Sequence, residues 1–241
     1  MSQWILGGLA FFVASTVQAC TGFGFALVAV PLLLLALPQA TVVPVCALLS
    51  MFVSIAAVLE CRRHLRARLV FPLLLGGVAG VPFGTKLLLT VAEGPFKLAV
   101  GVFVFLLALI LMRGWTRPIR NQKIALLPVG LASGILNGSI ALSGPPAILF
   151  LSNQQTPKDV FRANLMGYFI LLNVWTVGFF AARGLIDRAV MLRVGIYVPV
   201  VILGALLGIR LSRVLSEPVF RKVALAIVAV TGLILVAKSL W

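Results

Sequence analysis

From Trp4 to Val236 the chain is a succession of apolar runs, many about 20 residues long, with few polar pauses. A helix of that length spans roughly the 30 Å hydrocarbon layer of a bilayer. None of the runs alternates polar and apolar residues as the strands of a membrane barrel would. The 241 residues are 62% hydrophobic and 10% charged, whereas a soluble domain is closer to half and a quarter. The predicted class is an all-α polytopic integral membrane protein, with almost no length left for a soluble domain.

Two stretches interrupt this pattern at depth. The first is Cys20-Thr21-Gly22-Phe23-Gly24-Phe25, running on to Pro31; the second is Asn137-Gly138-Ser139 followed by Ser143-Gly144-Pro145-Pro146. Glycines and hydroxyl residues in such places are expected to break a membrane helix. Irregular backbone is tolerated at membrane depth only where protein or a cavity surrounds it. The two breaks are therefore expected to face each other and bind a small anion.

In order, the apolar segments are 4–19 and 25–37 around the first break, then 42–59, 69–89 and 96–112. The linker 113–123 is the longest polar interruption. Beyond it come 124–136 and 146–151 around the second break, then 160–182, 189–209 and 219–236. An offset of 124 residues pairs Gly80 with Gly204, Gly84 with Gly208 and Lys86 with Arg210. It also pairs Glu93 with Glu217, Phe96 with Phe220 and Lys97 with Arg221. The chain thus divides into an N-terminal membrane repeat (1–112), a basic cytoplasmic linker (113–123) and a C-terminal membrane repeat (124–241). Each repeat is a broken helix plus three spans. The segments flanking each break are short, so they form either a re-entrant hairpin or two thin, tilted spans. Small-residue spacing also arises in membrane helices from packing alone.

The net charge of +15 suits the short cytoplasmic loops of a membrane protein and their contact with anionic lipid better than nucleic acid. If each broken segment crosses once, the basic residues divide twelve to eight between the two sides. If each returns to its own side, they divide fourteen to six. The stronger bias favours the second topology, with both termini outside and the two repeats inverted, a common transporter plan. The expected location is the bacterial inner membrane, crossed several times, and the chain could pair as a homodimer. Cys20, Cys46 and Cys61 lack paired or metal-type spacing.

The five acids (Glu60, Glu93, Asp159, Asp187 and Glu217) lie at segment ends or in loops, and the only histidine, His64, lies in a basic loop. Mid-membrane ionisable groups would mark proton relays or metal sites. Their absence argues against a carboxylate-centred antiporter, a metal enzyme and an intramembrane serine hydrolase, which would need a base beside Ser139 or Ser143. No catalytic residue, metal or cofactor is expected. The polar residues left at depth include Gln18, Asn164 and Asn173. A helix starting at a glycine break presents unpaired N–H groups and a partial positive charge, which suits an anion. The candidate substrate-binding residues are Thr21, Gly22, Gly24, Asn137, Gly138, Ser139, Ser143 and Gly144. The competing reading is that these glycines only allow close helix packing. Lys158 and Arg162 open the following span, either snorkelling to the interface or drawing anions to the mouth.

Thr21-Gly22-Phe23-Gly24 followed by Val30-Pro31-Leu32-Leu33, the stretch from Gly138 to Pro146, the basic loop after the second long segment and the two-half layout together resemble the TauE/SafE family of sulfite/sulfonate exporters over nearly the whole length. The resemblance implies a secondary transporter, an exporter of sulfite, an organosulfonate or a related small carboxylate, working by alternating access. It departs from the family pattern in Phe23 and Phe25, where small residues are expected. An anion channel, or a non-transporting membrane subunit or scaffold, would carry the same breaks.

Overall fold

The computed structural model describes residues 2–61, 67–113, 122–152, 158–214 and 217–240. Most of the linker, His64 and the side chains of Lys158 and Arg162 lie outside the described residues. Ten helices follow one another among them: α1 (Ser2–Thr21), α2 (Phe25–Leu34), α3 (Gln39–Cys61), α4 (Ala67–Thr90), α5 (Glu93–Met112), α6 (Gln122–Ile140), α7 (Gly144–Ser152), α8 (Lys158–Ala182), α9 (Arg188–Val214) and α10 (Glu217–Leu240). Six of them, α1, α3, α4, α5, α8 and α9, are long and apolar enough to cross a bilayer.

The outside of the bundle is apolar, and its largely apolar inside also holds a set of buried polar side chains. Leu9, Phe71, Phe83 and Leu203 are more than 60% exposed, while Ser15, Gln18, Ser54, Ser133, Asn137 and Thr176 are at most 2% exposed. In water that distribution would be unfavourable; in lipid the exposed side chains lose nothing, and the polar groups find partners only inside.

Glycine sets the closest approaches. A Cβ on Gly76, Gly80 or Gly84 of α4 would strike the carbonyl oxygen of Leu127, Leu131 or Ile135 of α6, in that order. The register advances together, so α4 and α6 run parallel with their backbones in contact. On α9, Gly204 meets Phe12, Ser15 and Thr16 of α1, and Gly208 meets Thr16 and Ala19. That pair is parallel too. Gly80 with Gly204 and Gly84 with Gly208, paired in sequence at an offset of 124, therefore serve the same contact in the two halves.

Helix α5 packs on α10 in the opposite sense. Gly101 lies against Gly232 and Val236, and Gly232 lies against Gly101 and Phe105. Moving forward on one helix moves backward on the other, so α5 and α10 are antiparallel. Counting each broken segment as a single crossing would make these two helices parallel. Letting each return to its own side makes them antiparallel.

The helices correct two expected boundaries. Helix α1 continues through Thr21 and is 20 residues long, so it is a full-length helix and only α2, with 10 residues, is short. Helix α6 continues through Asn137, Gly138 and Ser139 to Ile140. The second break is Ala141, Leu142 and Ser143 only. Gly138 is held in the helix by its seat on α4, where a Cβ would strike the Val81 carbonyl oxygen and lie 3.0 Å from the Thr85 nitrogen.

Candidate functional site

The two breaks share one local design. At the first, the Gly22 N–H donates to the Gln18 carbonyl at 2.8 Å; at the second, the Ala141 N–H donates to the Asn137 carbonyl at 2.9 Å. Both capping residues are left-handed, with φ of 88° at Gly22 and 54° at Ala141. Both follow the αL ending of a helix, and at the second the Leu142 N–H adds a bond to the Leu136 carbonyl at 3.3 Å. Glycine reaches the left-handed conformation without strain, whereas alanine gives up about 1–2 kcal/mol. Gly24, with φ of 104°, then N-caps α2. Thr21 and Ile140, Phe25 and Gly144, and Gln39 and Lys158 are the corresponding ends or starts of elements, each pair 119 residues apart. The ends and starts of the first three helices on each side of the linker thus correspond at an offset of 119 residues, and the contact glycines of α4 and α9 at 124.

After the first break the chain turns back on α1. Phe25, the first residue of α2, stacks on Phe11 with ring centroids 5.9 Å apart, although Phe11 lies ten residues before the end of α1. The first N–H that α2 engages internally is that of Val28, which donates to the Gly24 carbonyl at 3.1 Å. The N–H groups of Phe25, Ala26 and Leu27 are left to face whatever lies at the helix start. Helix α7 starts with Gly144-Pro145-Pro146, and proline there costs no helical bond because its missing N–H had no partner.

The breaks meet at a small cavity of about 20 Å³. Its walls are Gln18 from α1, residues 23–27 of the first break and α2, Ser50 from α3, residues 141–144 of the second break, and Phe169 and Asn173 from α8. A Cβ placed on Gly144 would be 3.8 Å from Cβ of Phe23. That volume holds about one water, so a sulfonate-sized ion needs its neighbours to move. No wall residue carries a formal charge.

Of the eight candidate binding residues, Gly24, Ser143 and Gly144 line this cavity. Thr21 and Gly22 form the turn behind it. The single proton of the Thr21 hydroxyl has the carbonyls of Val17 at 2.8 Å and Phe23 at 2.7 Å as alternative acceptors, and its oxygen accepts the Phe23 N–H. It braces the break. Gly138 belongs to the α4–α6 contact. The Ser139 hydroxyl donates to its own helix at Ile135. Its side chain borders a separate cavity of about 230 Å³, otherwise walled by apolar residues such as Leu87, Phe96, Phe103 and Ile140, which is no place for an anion. The Ser133 hydroxyl bonds the Ser143 carbonyl and so ties α6 to its own break.

Asn137 anchors a polar chain between helices. Its amide Nδ2 donates to Asn173 Oδ1 at 3.1 Å and to Thr176 Oγ1 at 2.8 Å, and Asn173 Nδ2 donates to Ser50 Oγ at 3.0 Å. In the other half, Gln18 Nε2 donates to Ser54 Oγ at 2.9 Å. Gln18 corresponds to Asn137, and Ser54 to Asn173, at the 119-residue offset. Gln18, Ser50 and Asn173 are wall residues absent from the candidate set. Their only sequence signal was polarity at mid-span. Among the described residues no three His, Cys, Asp or Glu side chains come together to hold a metal.

A family model described as sulfite exporter TauE/SafE matches residues 7–235. A protein of Cupriavidus necator described as a probable sulfite/organosulfonate exporter TauE is 28% identical, over 99% of this chain and 94% of that protein. No solved structure matches.

Proposed function

Because this chain belongs to the sulfite exporter TauE/SafE family, we propose that it is a multi-pass membrane exporter of a small sulfur-containing anion, sulfite or an organosulfonate, and not an enzyme. The observation that carries the reading is the cavity where the two broken helices meet, with the first-turn N–H groups of α2 at its wall. A helix start favours an anion without a full countercharge. Binding without a lysine or arginine keeps the ion from being held too tightly to leave. An inside-negative potential favours anion exit by about 2.3 kcal/mol per charge per 100 mV.

Alternating access fits the unequal packing of the equivalent short helices. Helix α2 packs on α1, α3, α5 and α10, whereas the principal neighbours of α7 among the described residues are α6 and α8. In an inverted repeat the opposite-facing state exchanges these two environments. A cavity with room for about one water favours a carrier over an open channel. The cytoplasmic side would be that of the basic residues between α3 and α4, with both termini outside.

The test is a flux screen in proteoliposomes with sulfite, sulfoacetate, taurine-like sulfonates and small carboxylates. Saturable flux of sulfite or a sulfonate is expected. Currents far above carrier turnover would select a channel, and no flux of any of these anions would refute the reading.

A further inference from the structure

Beside the second break lies a space that anion export does not use. It is the cavity of about 230 Å³ between the end of α4, the first half of α5 and the end of α6, larger than the roughly 150 Å³ void that takes up benzene inside a soluble protein. Its walls include Leu87 and Val91 of α4, Phe96 and Phe103 of α5, and Leu136 and Ile140 of α6. Among the described wall residues Ser139 alone has a polar side chain, and its hydroxyl already donates to the Ile135 carbonyl at 2.8 Å. Water there would have almost no partner, and apolar cavities of this kind stay dry.

The walls are fixed from behind, which keeps the space from closing. Gly84 of α4 seats on the α6 backbone, where a Cβ would lie 2.8 Å from the Ser139 nitrogen. At the end of α4, Gln39 of α3 donates through Nε2 to the carbonyls of Leu88 at 2.9 Å and Val91 at 2.8 Å. Helix α5 is held in turn by its glycine contact with α10.

The mouth opens on the bilayer-facing surface. On α4, Phe83, Leu87 and Val91 follow at four-residue steps along one face. Phe83 is 62% exposed, Leu87 46%, and Val91 half-buried. On α5, Leu106 and Ala99 are exposed and Phe103 between them is half-buried, again along one face. The outer surface of both helices thus runs on into the cavity and ends at Phe96 and Ile140, each 5% exposed. The medium against such a surface in a membrane is hydrocarbon.

From this geometry we propose that the cavity is a lipid site: one acyl chain of a bilayer phospholipid enters between α4 and α5 and lies against Phe96, Val100 and Ile140. The chain fills the space beside the point where α6 stops and shields the break at Ala141 from the bilayer side. The inference needs only the membrane location, so it stands or falls separately from sulfite flux.

The experiment reconstitutes the full chain in dioleoylphosphatidylcholine vesicles containing a small fraction of an analogue whose acyl chain ends in a photoreactive diazirine. After illumination and digestion the adducts are mapped. Bulk lipid reaches Phe83, Leu87 and Leu106; only a chain inside the bundle reaches Phe96, Val100 or Ile140. Wild-type protein should carry adducts at both the outer and the inner positions. Ala99→Phe at the mouth and Leu136→Phe on the α6 wall each put a ring into the space, and should lose the inner adducts while keeping the outer ones. Val102→Phe, exposed on α5 but not part of the wall, should keep both. The outer adducts check that each variant is folded in the bilayer. Wild-type protein without inner adducts, or inner adducts that persist in both filled variants, overturns the inference. Inner adducts that vanish as the protein is concentrated in the bilayer would give the seat to a second copy of the chain, and overturn it as well.

Discussion

Gly138 and Gly144 stand six residues apart beside the second break, and the structure gives them opposite burdens. A Cβ on Gly144 would come within 3.1 Å of the Ile148 Cδ1 tip, 3.6 Å of the Phe169 ring and 3.8 Å of Phe23 Cβ. The nearest atom is the end of a flexible side chain, so Gly144→Ala needs only a small rotation and should cost under about 1 kcal/mol. Its methyl would enter a cavity of about 20 Å³ and fill most of it. A Cβ on Gly138 would instead strike the Val81 carbonyl oxygen of α4, a backbone atom that moves only if the helices part. Such overpacking costs about 1–3 kcal/mol. At roughly 2–4 °C per kcal/mol for a chain of this size, Tm should fall by several degrees. The assay is thermal unfolding of purified protein in one detergent, set beside sulfite flux per folded molecule. Gly144→Ala should keep wild-type Tm and lose flux about tenfold or more, whereas Gly138→Ala should lose Tm and keep most of its flux per folded molecule. Wild-type flux in Gly144→Ala would refute the placement of the site. A wild-type Tm with lost flux in Gly138→Ala would return that glycine to the binding set.

Ala141→Gly removes left-handed strain worth about 1–2 kcal/mol, partly offset by the entropy of glycine; a net rise in Tm is expected, while Gly22→Ala at the equivalent position should lower it. Gly178 has nothing within 4 Å of a would-be Cβ, so Gly178→Ala should stabilise the exposed face of α8 by about 0.5–1 kcal/mol, read by unfolding in detergent. Asn173→Ala strips Asn137 and Ser50 of a shared partner; a loss of about 0.5–2 kcal/mol in Tm-derived stability is expected, and no loss would show the polar chain to be idle. For topology, Gly94→Cys and Arg183→Cys in a background without Cys20, Cys46 and Cys61 should react with an impermeant maleimide from the same side. Labelling from opposite sides would refute the inverted arrangement.

The class of fold could be read from the apolar runs because bilayer thickness leaves a chain few alternatives. Where the helices end was harder to read. Asn137-Gly138-Ser139 has the composition of a break, yet contact with the α4 backbone keeps it helical, and the turn falls on Ala141, which carries no sequence signal for a left-handed residue. At an offset of 124 Gly80, Gly84 and Glu93 recur as the same residues. At 119 the correspondences are chemical: Gln18 with Asn137, Gly22 with Ala141, Ser54 with Asn173. No identity marks them, and the five-residue shift hides them from a single offset. The Gln18 side chain stood out only as a polar group at depth.

Glycine-lined contacts join one half of the chain to the other: α4 lies on α6, and α1 lies on α9. While the chain is being made, the glycine face of α4 has no partner until α6 has emerged, and α1 waits still longer for α9. The first half must therefore sit in the bilayer with its small-residue grooves filled by lipid tails and complete its packing only when the second half arrives. By the same contacts, a cut in the linker 113–123 should leave two pieces that reassemble when made together, while either piece made alone would be left with an open seam.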